Sequence, residues 1–131
     1  MKQIAINLEM PHKHLSPNSR CHWAQKAKAK KDQRYHSFYR ILRALNEIAP
    51  FNTHLREWVP WKTANVQIVV IPPDRRRRDK DNILASLKAA FDGAQDAGLI
   101  ADDSGLTYLP ITITEPDKAN AGVQITFIKT T

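Results

Sequence analysis

The sequence predicts an α+β (mixed α/β) fold: one small domain in which a mixed β-sheet of about four strands carries two main helices. Three observations lead there. Residues 2–10 alternate apolar and polar side chains with a period of two, and residues 22–48 and 83–97 repeat apolar side chains at helical spacing. The remaining apolar runs are short and bounded by Pro, Asn, Asp and Gly, so the elements follow the order β-α-β-α-β-β. A chain of 131 residues has enough material for a real core and is expected to hold no second domain.

The first strand sets Ile4, Ile6, Leu8 and Met10 against Gln3, Ala5, Asn7 and Glu9, and Pro11 stops it. Residues 12–23 read as a loop, rich in His, Ser, Pro and Asn. Its three histidines and Cys21 match no zinc-ligand spacing, and no second cysteine exists. Asn18 and Arg20 are expected near the functional face, with Trp23 as a packing anchor. From His22 to Ile48 one long helix, broken at most once, places Phe38, Ile41, Leu42, Leu45 and Ile48 on a core-facing stripe. Lys26, Lys28, Lys30, Lys31, Arg34, Arg40 and Arg43 make the rest of that helix basic. Pro50 to Pro60 is a connector, with Trp58 and Trp61 packing on the body.

Thr63 to Ile71 is expected to be a central strand, because Val66, Ile68 and Val70 occupy one face and Val69 and Ile71 the other. In the next helix Ile83, Leu84, Leu87, Ala90, Phe91 and Ala94 fall within an arc of roughly 120°, the core side. Asp81, Lys88 and Asp92 fall within about 20° of one line on the opposite side, which sets Lys88 two turns above Asp81. Gly98 terminates the helix. A β-hairpin, Leu106–Thr114 and Val123–Lys129, closes the chain across a connection rich in Pro, Asp and Asn.

Charge narrows the partners. Twenty Lys and Arg against thirteen Asp and Glu leave +7, and a sequence pI near 9.8 favours nucleic acid. A single cysteine excludes an internal disulfide and suits a reducing cytoplasm. The opening residues carry no signal peptide and no apolar run approaches the ~20 residues of a membrane span, so the expectation is a soluble intracellular protein.

The chemistry gathers in Ile71-Pro72-Pro73-Asp74-Arg75-Arg76-Arg77-Arg78-Asp79-Lys80-Asp81-Asn82. Carboxylates at i and i+2 of an extended segment point to one side, which suits a hard cation such as Mg²⁺ whose shell is completed by water and phosphate oxygens. The arginines suit the phosphate backbone. Asp79, Asp81 and one of Asp102 or Asp103 are three carboxylates that the fold can bring together. The alternative is that Asp79 or Asp81 only caps the helix. A calcium loop of the EF-hand kind is excluded, since Ile83 stands at its fifth position and no glycine follows.

That string, with Lys88-Ala89-Ala90-Phe91-Asp92, Asp102-Asp103-Ser104, the early Pro17-Asn18 and the N-terminal strand, resembles the RusA family of Holliday junction resolvases, small phage- and prophage-derived endonucleases. The resemblance covers most of the chain and implies a single RusA-like endonuclease domain over residues 1–131. It also implies a homodimer that binds four-way DNA junctions and cuts two strands symmetrically with Mg²⁺ or Mn²⁺, without a small-molecule cofactor. Asp79, Asp81 and Asp103 are the implied metal ligands. The family's catalytic lysine stands four residues after the second aspartate, where this chain has Ala85. Lys88, seven residues after and on the same helical face, is the candidate for that role. Arg75, Arg76, Arg77, Arg78, Asn18, Arg20, Lys26 and Lys30 are the candidate DNA contacts. Two rivals stand beside this reading: a non-catalytic basic DNA-binding protein, and a metal nuclease for another branched or single-stranded DNA.

Overall fold

A computed structural model describes residues 3–48 and 58–130, and the connector expected from Pro50 to Pro60 falls outside them up to residue 57. Strand β1 (Gln3–Leu8) alternates exposed and buried residues without exception, as its period of two dictates. The helix α1 (Trp23–Ile48) follows, unbroken over 26 residues. Then come β2 (Ala64–Ile71), the short helix α2 (Lys80–Ala85), α3 (Lys88–Asp96), β3 (Leu106–Tyr108), β4 (Thr112–Ile113) and β5 (Gly122–Lys129). The architecture is a mixed α+β domain with a five-stranded sheet, one strand more than the sequence pattern suggested.

The sheet order is β1-β5-β2-β3, with β4 also on β2. β5 runs antiparallel to both β1 and β2, whereas β3 and β4 run parallel to β2. Ile4, Ile6 and Leu8 of β1, Val66, Ile68 and Val70 of β2, and Val123, Ile125 and Phe127 of β5 form one buried face. Ile41 and Leu45 of α1 and Ala90, Phe91 and Ala94 of α3 join them in a single core. Gln3, Ala5, Asn7, Gln67 and Gln124 face the other way and are exposed, so the sheet is covered by helices on one side only.

Two expectations are corrected here. The predicted terminal hairpin does not form, because the Glu115–Gly122 connection crosses the end of β2, where the Asp117 amide donates to the Pro72 carbonyl. That crossing delivers β5 to the far side of β2, where its apolar residues gain two neighbouring strands instead of one. The segment left behind becomes an interrupted edge strand: Pro110 lacks the amide a continuous ladder needs, and pairing resumes when Thr114 donates to Val70. The second correction concerns Trp23, which is 76% exposed and anchors nothing. Trp58 and Trp61 do pack on the body, the Trp58 indole donating to the Gly98 carbonyl at 2.7 Å.

Helix α3 ends as expected at Gly98, whose φ of 82° is the left-handed conformation that glycine adopts without strain. Leu99 donates to Ala94 and Gly98 to Gln95, the paired bonds of a Schellman cap. Among the described residues no helix is long and apolar enough to cross a membrane.

Helices α1 and α3 touch backbone to backbone at Gly93. A methyl group there would stand 2.4 Å from the Arg34 carbonyl and 2.9 Å from the Ser37 Cβ. Alanine improves helix propensity by at most about 1 kcal/mol, which a forced separation of the helices outweighs. Gly93→Ala is therefore expected to lower stability by about 1–3 kcal/mol, read as a lower urea midpoint at unchanged slope.

A second brace joins α1 to the end of β1. Arg40 donates to both carboxylate oxygens of Glu9 and to the Asn7 carbonyl. The Arg40 guanidinium holds the Glu9 carboxyl down to about 2, with burial opposing it. A depressed acid stabilises the fold above its unfolded pKa and loses that contribution as pH falls through the folded value. Glu9→Gln should therefore be less stable than the parent at neutral pH. The gap should close as pH drops from about 4.5 towards 2, measured by urea melts across that window.

Candidate functional site

The loop that leaves β2 is built around Asp74. Its carboxylate accepts from the Arg76 amide at 3.0 Å and from the Arg78 guanidinium at 2.8 Å, and these two donors hold its pKa below the usual range. Arg78 also donates to the Asp74 and Arg76 carbonyls, and its side chain is only 16% exposed. This arginine is a pin that closes the loop rather than a free cation. Arg75 pairs with Glu115 across solvent at 3.2 Å. Among the described residues the side chains of Arg76 and Arg77 have no partner, so two of the four guanidiniums stand open.

Asp79 is the last extended residue before α2, at φ −84° and ψ 122°. Its Oδ1 accepts from the amides of Asp81 at 2.8 Å and Asn82 at 3.4 Å, so it is the helix cap that the sequence left as an alternative. Asp81 already lies in the first helical turn. The same-side argument for an extended segment therefore does not apply to the pair. What brings the two together is the cap itself, which lays the Asp79 carboxylate against the Asp81 backbone. Asp79 keeps Oδ2 free, and the Asp81 carboxylate is exposed and without a partner among the described residues. Two hard carboxylates open to solvent at one helix start fit Mg²⁺ or Mn²⁺, which bind through one or two carboxylates and fill the shell with water and phosphate.

The third expected ligand, Asp103, opens the short turn before β3, whose Leu106 pairs with Ala64 at the beginning of β2. Among the described residues no three His, Cys, Asp or Glu side chains come together as a metal-holding group. Asp103 instead lies near Tyr108, together with Asp92. Burial pushes the Tyr108 hydroxyl up, and the carboxylates of Asp103 and Asp92 push it further. Asp102 is occupied by a hydrogen bond from the Ser104 hydroxyl, which lowers its pKa.

Between α2 and α3 the helix is interrupted at Ser86 and Leu87. The cause is a side chain from α1. Gln33 donates its amide to the Ser86 carbonyl at 2.9 Å and accepts from the Ala90 amide at 3.1 Å. Those two backbone groups are the pair an uninterrupted helix would bond to each other, so the Gln33 amide is spliced into the ladder. Ser37 adds a hydrogen bond to the Ala90 carbonyl at 2.6 Å.

Lys88 lines a groove of roughly 550 Å³ between the first half of α1 and the crossover, with Lys26, Lys30, Lys31, Arg34 and Asp92. Five cations face one carboxylate there. Arg34 is clamped by both oxygens of Asp96; the four lysines have no partner among the described residues. Lys28 and Arg40, by contrast, are paired with Asp32 and Glu9. Pro17 lines the same groove, and Asn18 and Arg20 are exposed on the loop beside it.

No family model matches the chain. A protein of Xylella fastidiosa (strain Temecula1), described as an uncharacterized protein, is 34% identical over 114 residues, covering 85% of this chain and 68% of that protein. The chain belongs to that protein's family. The relative's description carries no activity over to this chain. Within this family member, the residues that sequence reasoning missed are Gln33 and Ser37, polar side chains buried on the core side of α1. The signal was their spacing: 33, 37, 41 and 45 form one stripe, with polar residues in its first two places.

Replacing Gln33 by Leu removes the donor to the Ser86 carbonyl, while the Ala90 amide keeps its 2.9 Å bond to the Leu87 carbonyl. The expected cost, from the one buried carbonyl left unsatisfied, is about 1–3 kcal/mol in urea unfolding.

Proposed function

We propose that the chain is a divalent-metal-dependent endodeoxyribonuclease that resolves four-way DNA junctions by paired symmetric cleavage in recombination and repair. It acts as a homodimer in the cytoplasm of a bacterial or phage-infected cell. The observation that carries this reading is the Asp79–Asp81 pair at the head of α2. The unpaired guanidiniums of Arg76 and Arg77 precede it, and the lysine-lined groove follows along the same crossover. The resemblance of residues 72–82 to the RusA family supports the junction as substrate and the dimer as the working unit.

In this reading Asp79 and Asp81 hold Mg²⁺ or Mn²⁺. The chemistry a bound ion supplies there is polarisation of the scissile phosphate and a more acidic attacking water. The Asp79 cap holds one carboxylate in place before substrate arrives, which removes an ordering cost. Arg76 and Arg77 bind the phosphate backbone, and Arg78 keeps the loop that presents them closed. Lys88 neutralises charge that develops on phosphoryl oxygens, while Lys26 and Lys30 hold the backbone leading away. Asp103 is assigned to the site by the resemblance alone, and the metal rests on Asp79 and Asp81.

One observation favours a second reading. The cap bonds of Asp79 are sufficient reason for an aspartate at that position, as in a basic DNA-binding protein with no catalysis. Cleavage of a synthetic four-way junction, with Mg²⁺, Mn²⁺ or EDTA, decides between the two. Asp81→Asn is expected to reduce cleavage by at least the roughly hundredfold that loss of a group beside a metal costs, with junction binding unchanged or tighter. A parent protein that binds the junction but cuts no DNA with either ion establishes the second reading.

A further inference from the structure

We infer that Trp23 is a stacking platform for an unpaired base at the mouth of the lysine groove. The proposed substrate is thereby narrowed to DNA with bases free of the duplex stack, as at a branch point. This inference rests on the nuclease reading for the identity of the polyanion.

Trp23 is the first residue of α1 and is 76% exposed, the most exposed large apolar side chain among the described residues. Leaving an indole in water forfeits one of the largest burial gains a side chain can offer. A packing role does not explain it, since among the described residues the one ring contact it makes is with His22, at 5.6 Å between centroids and 33° between planes. His22 is itself fixed, because its Nδ1 accepts from the Ala24 amide at 3.2 Å. The two rings therefore form a small aromatic shelf on a rigid helix start.

The shelf is aligned with the groove. At about 100° per residue, Lys30 and Arg34 lie within roughly 20° of Trp23 around the helix axis, and Lys26 and Ala27 flank the same line one turn on. Lys26, Ala27, Lys30 and Arg34 all line the groove. A phosphate backbone lying along Lys30, Lys26 and Lys88 thus passes the indole at one end. Aromatic faces beside a cationic track are how proteins hold bases that have left the stack. Duplex DNA buries its base faces and can use the lysines but not the ring, so Trp23 discriminates where the lysines do not.

The test is binding in EDTA at one fixed salt concentration, read by fluorescence anisotropy on a four-way junction, single-stranded DNA and linear duplex. Trp23→Ala is expected to weaken junction and single-strand binding by about tenfold or more, the effect of losing one stacked base. Duplex affinity should stay within about twofold, and Trp23→Phe should recover most of the loss. An equal loss on all three DNAs, or no loss, overturns the inference. So does a change in oligomeric state of Trp23→Ala in sedimentation, which would assign the ring to a protein contact. Because no cleavage is read, the two proposals fail separately. A parent that never cuts but loses unpaired-base binding with Trp23→Ala defeats the nuclease reading alone. An Asp81-dependent nuclease indifferent to Trp23 defeats this one alone.

Discussion

The Gln33 side chain, with one amide donating to Ser86 and accepting from Ala90, is the interaction on which the placement of the rest depends. Splicing an amide between a carbonyl and the amide four residues on keeps both backbone groups satisfied while breaking the regular ladder. The cost of burying glutamine is offset because its carbonyl and its amine are both used. One turn later the Ser37 hydroxyl adds a hydrogen bond to the Ala90 carbonyl, and Gly93 lets the helices close to backbone contact. The result is a crossover whose second half faces the lysines of α1. The polar character of the buried α1 stripe at residues 33 and 37 has its reason there.

This placement sorts the charges. The excess of +7 is not spread evenly, because Arg34, Arg40, Arg75, Arg78 and Lys28 are each matched to a carboxylate. Exposed pairs of this kind contribute little to stability, but they fix side-chain positions and remove those cations from competition for ligand. Among the described residues Arg76 and Arg77 at one end of α2, and Lys26, Lys30, Lys31 and Lys88 beyond it, keep their charge unmatched. In the proposed function a polyanion would meet this set, with affinity that falls as salt rises.

The sheet was legible where burial repeats with a period of two. Ile4-Ile6-Leu8 and Val66-Ile68-Val70 announce their inward faces, and β2 is central as its two-sided apolar character implied. Strand partners were not legible. Val123–Lys129 reads the same beside Leu106–Thr114 as between β1 and β2, and the choice is made by where an eight-residue connection crosses, which alternation does not encode. Trp23 was misread for a related reason: size and hydrophobicity argue for burial, and only the three-dimensional course of α1 leaves it 76% exposed. The Asp74–Asp81 loop announced its chemistry by composition. Which arginines are pins and which are open depends on backbone carbonyls that a string of letters does not locate.

The Asp79 cap bears on whether two carboxylates suffice for the proposed site. A cap and a metal ligand are competing descriptions only if the carboxylate has a single oxygen to offer. Asp79 commits Oδ1 to the amides of α2, which fixes its plane and directs Oδ2 to solvent, as outer hydrogen bonds commonly do for ligating carboxylates. Asp81, unbonded, supplies the adjustable partner. In the proposed site these two carboxylates would leave coordination positions for water and for phosphate oxygens, which is how Mg²⁺ is usually held in phosphoryl chemistry. An ion so held would be completed by its substrate, and in that reading tight binding waits on DNA. The guanidiniums of Arg76 and Arg77 would then matter twice, once in gripping the backbone and once in bringing the phosphate that finishes the coordination shell.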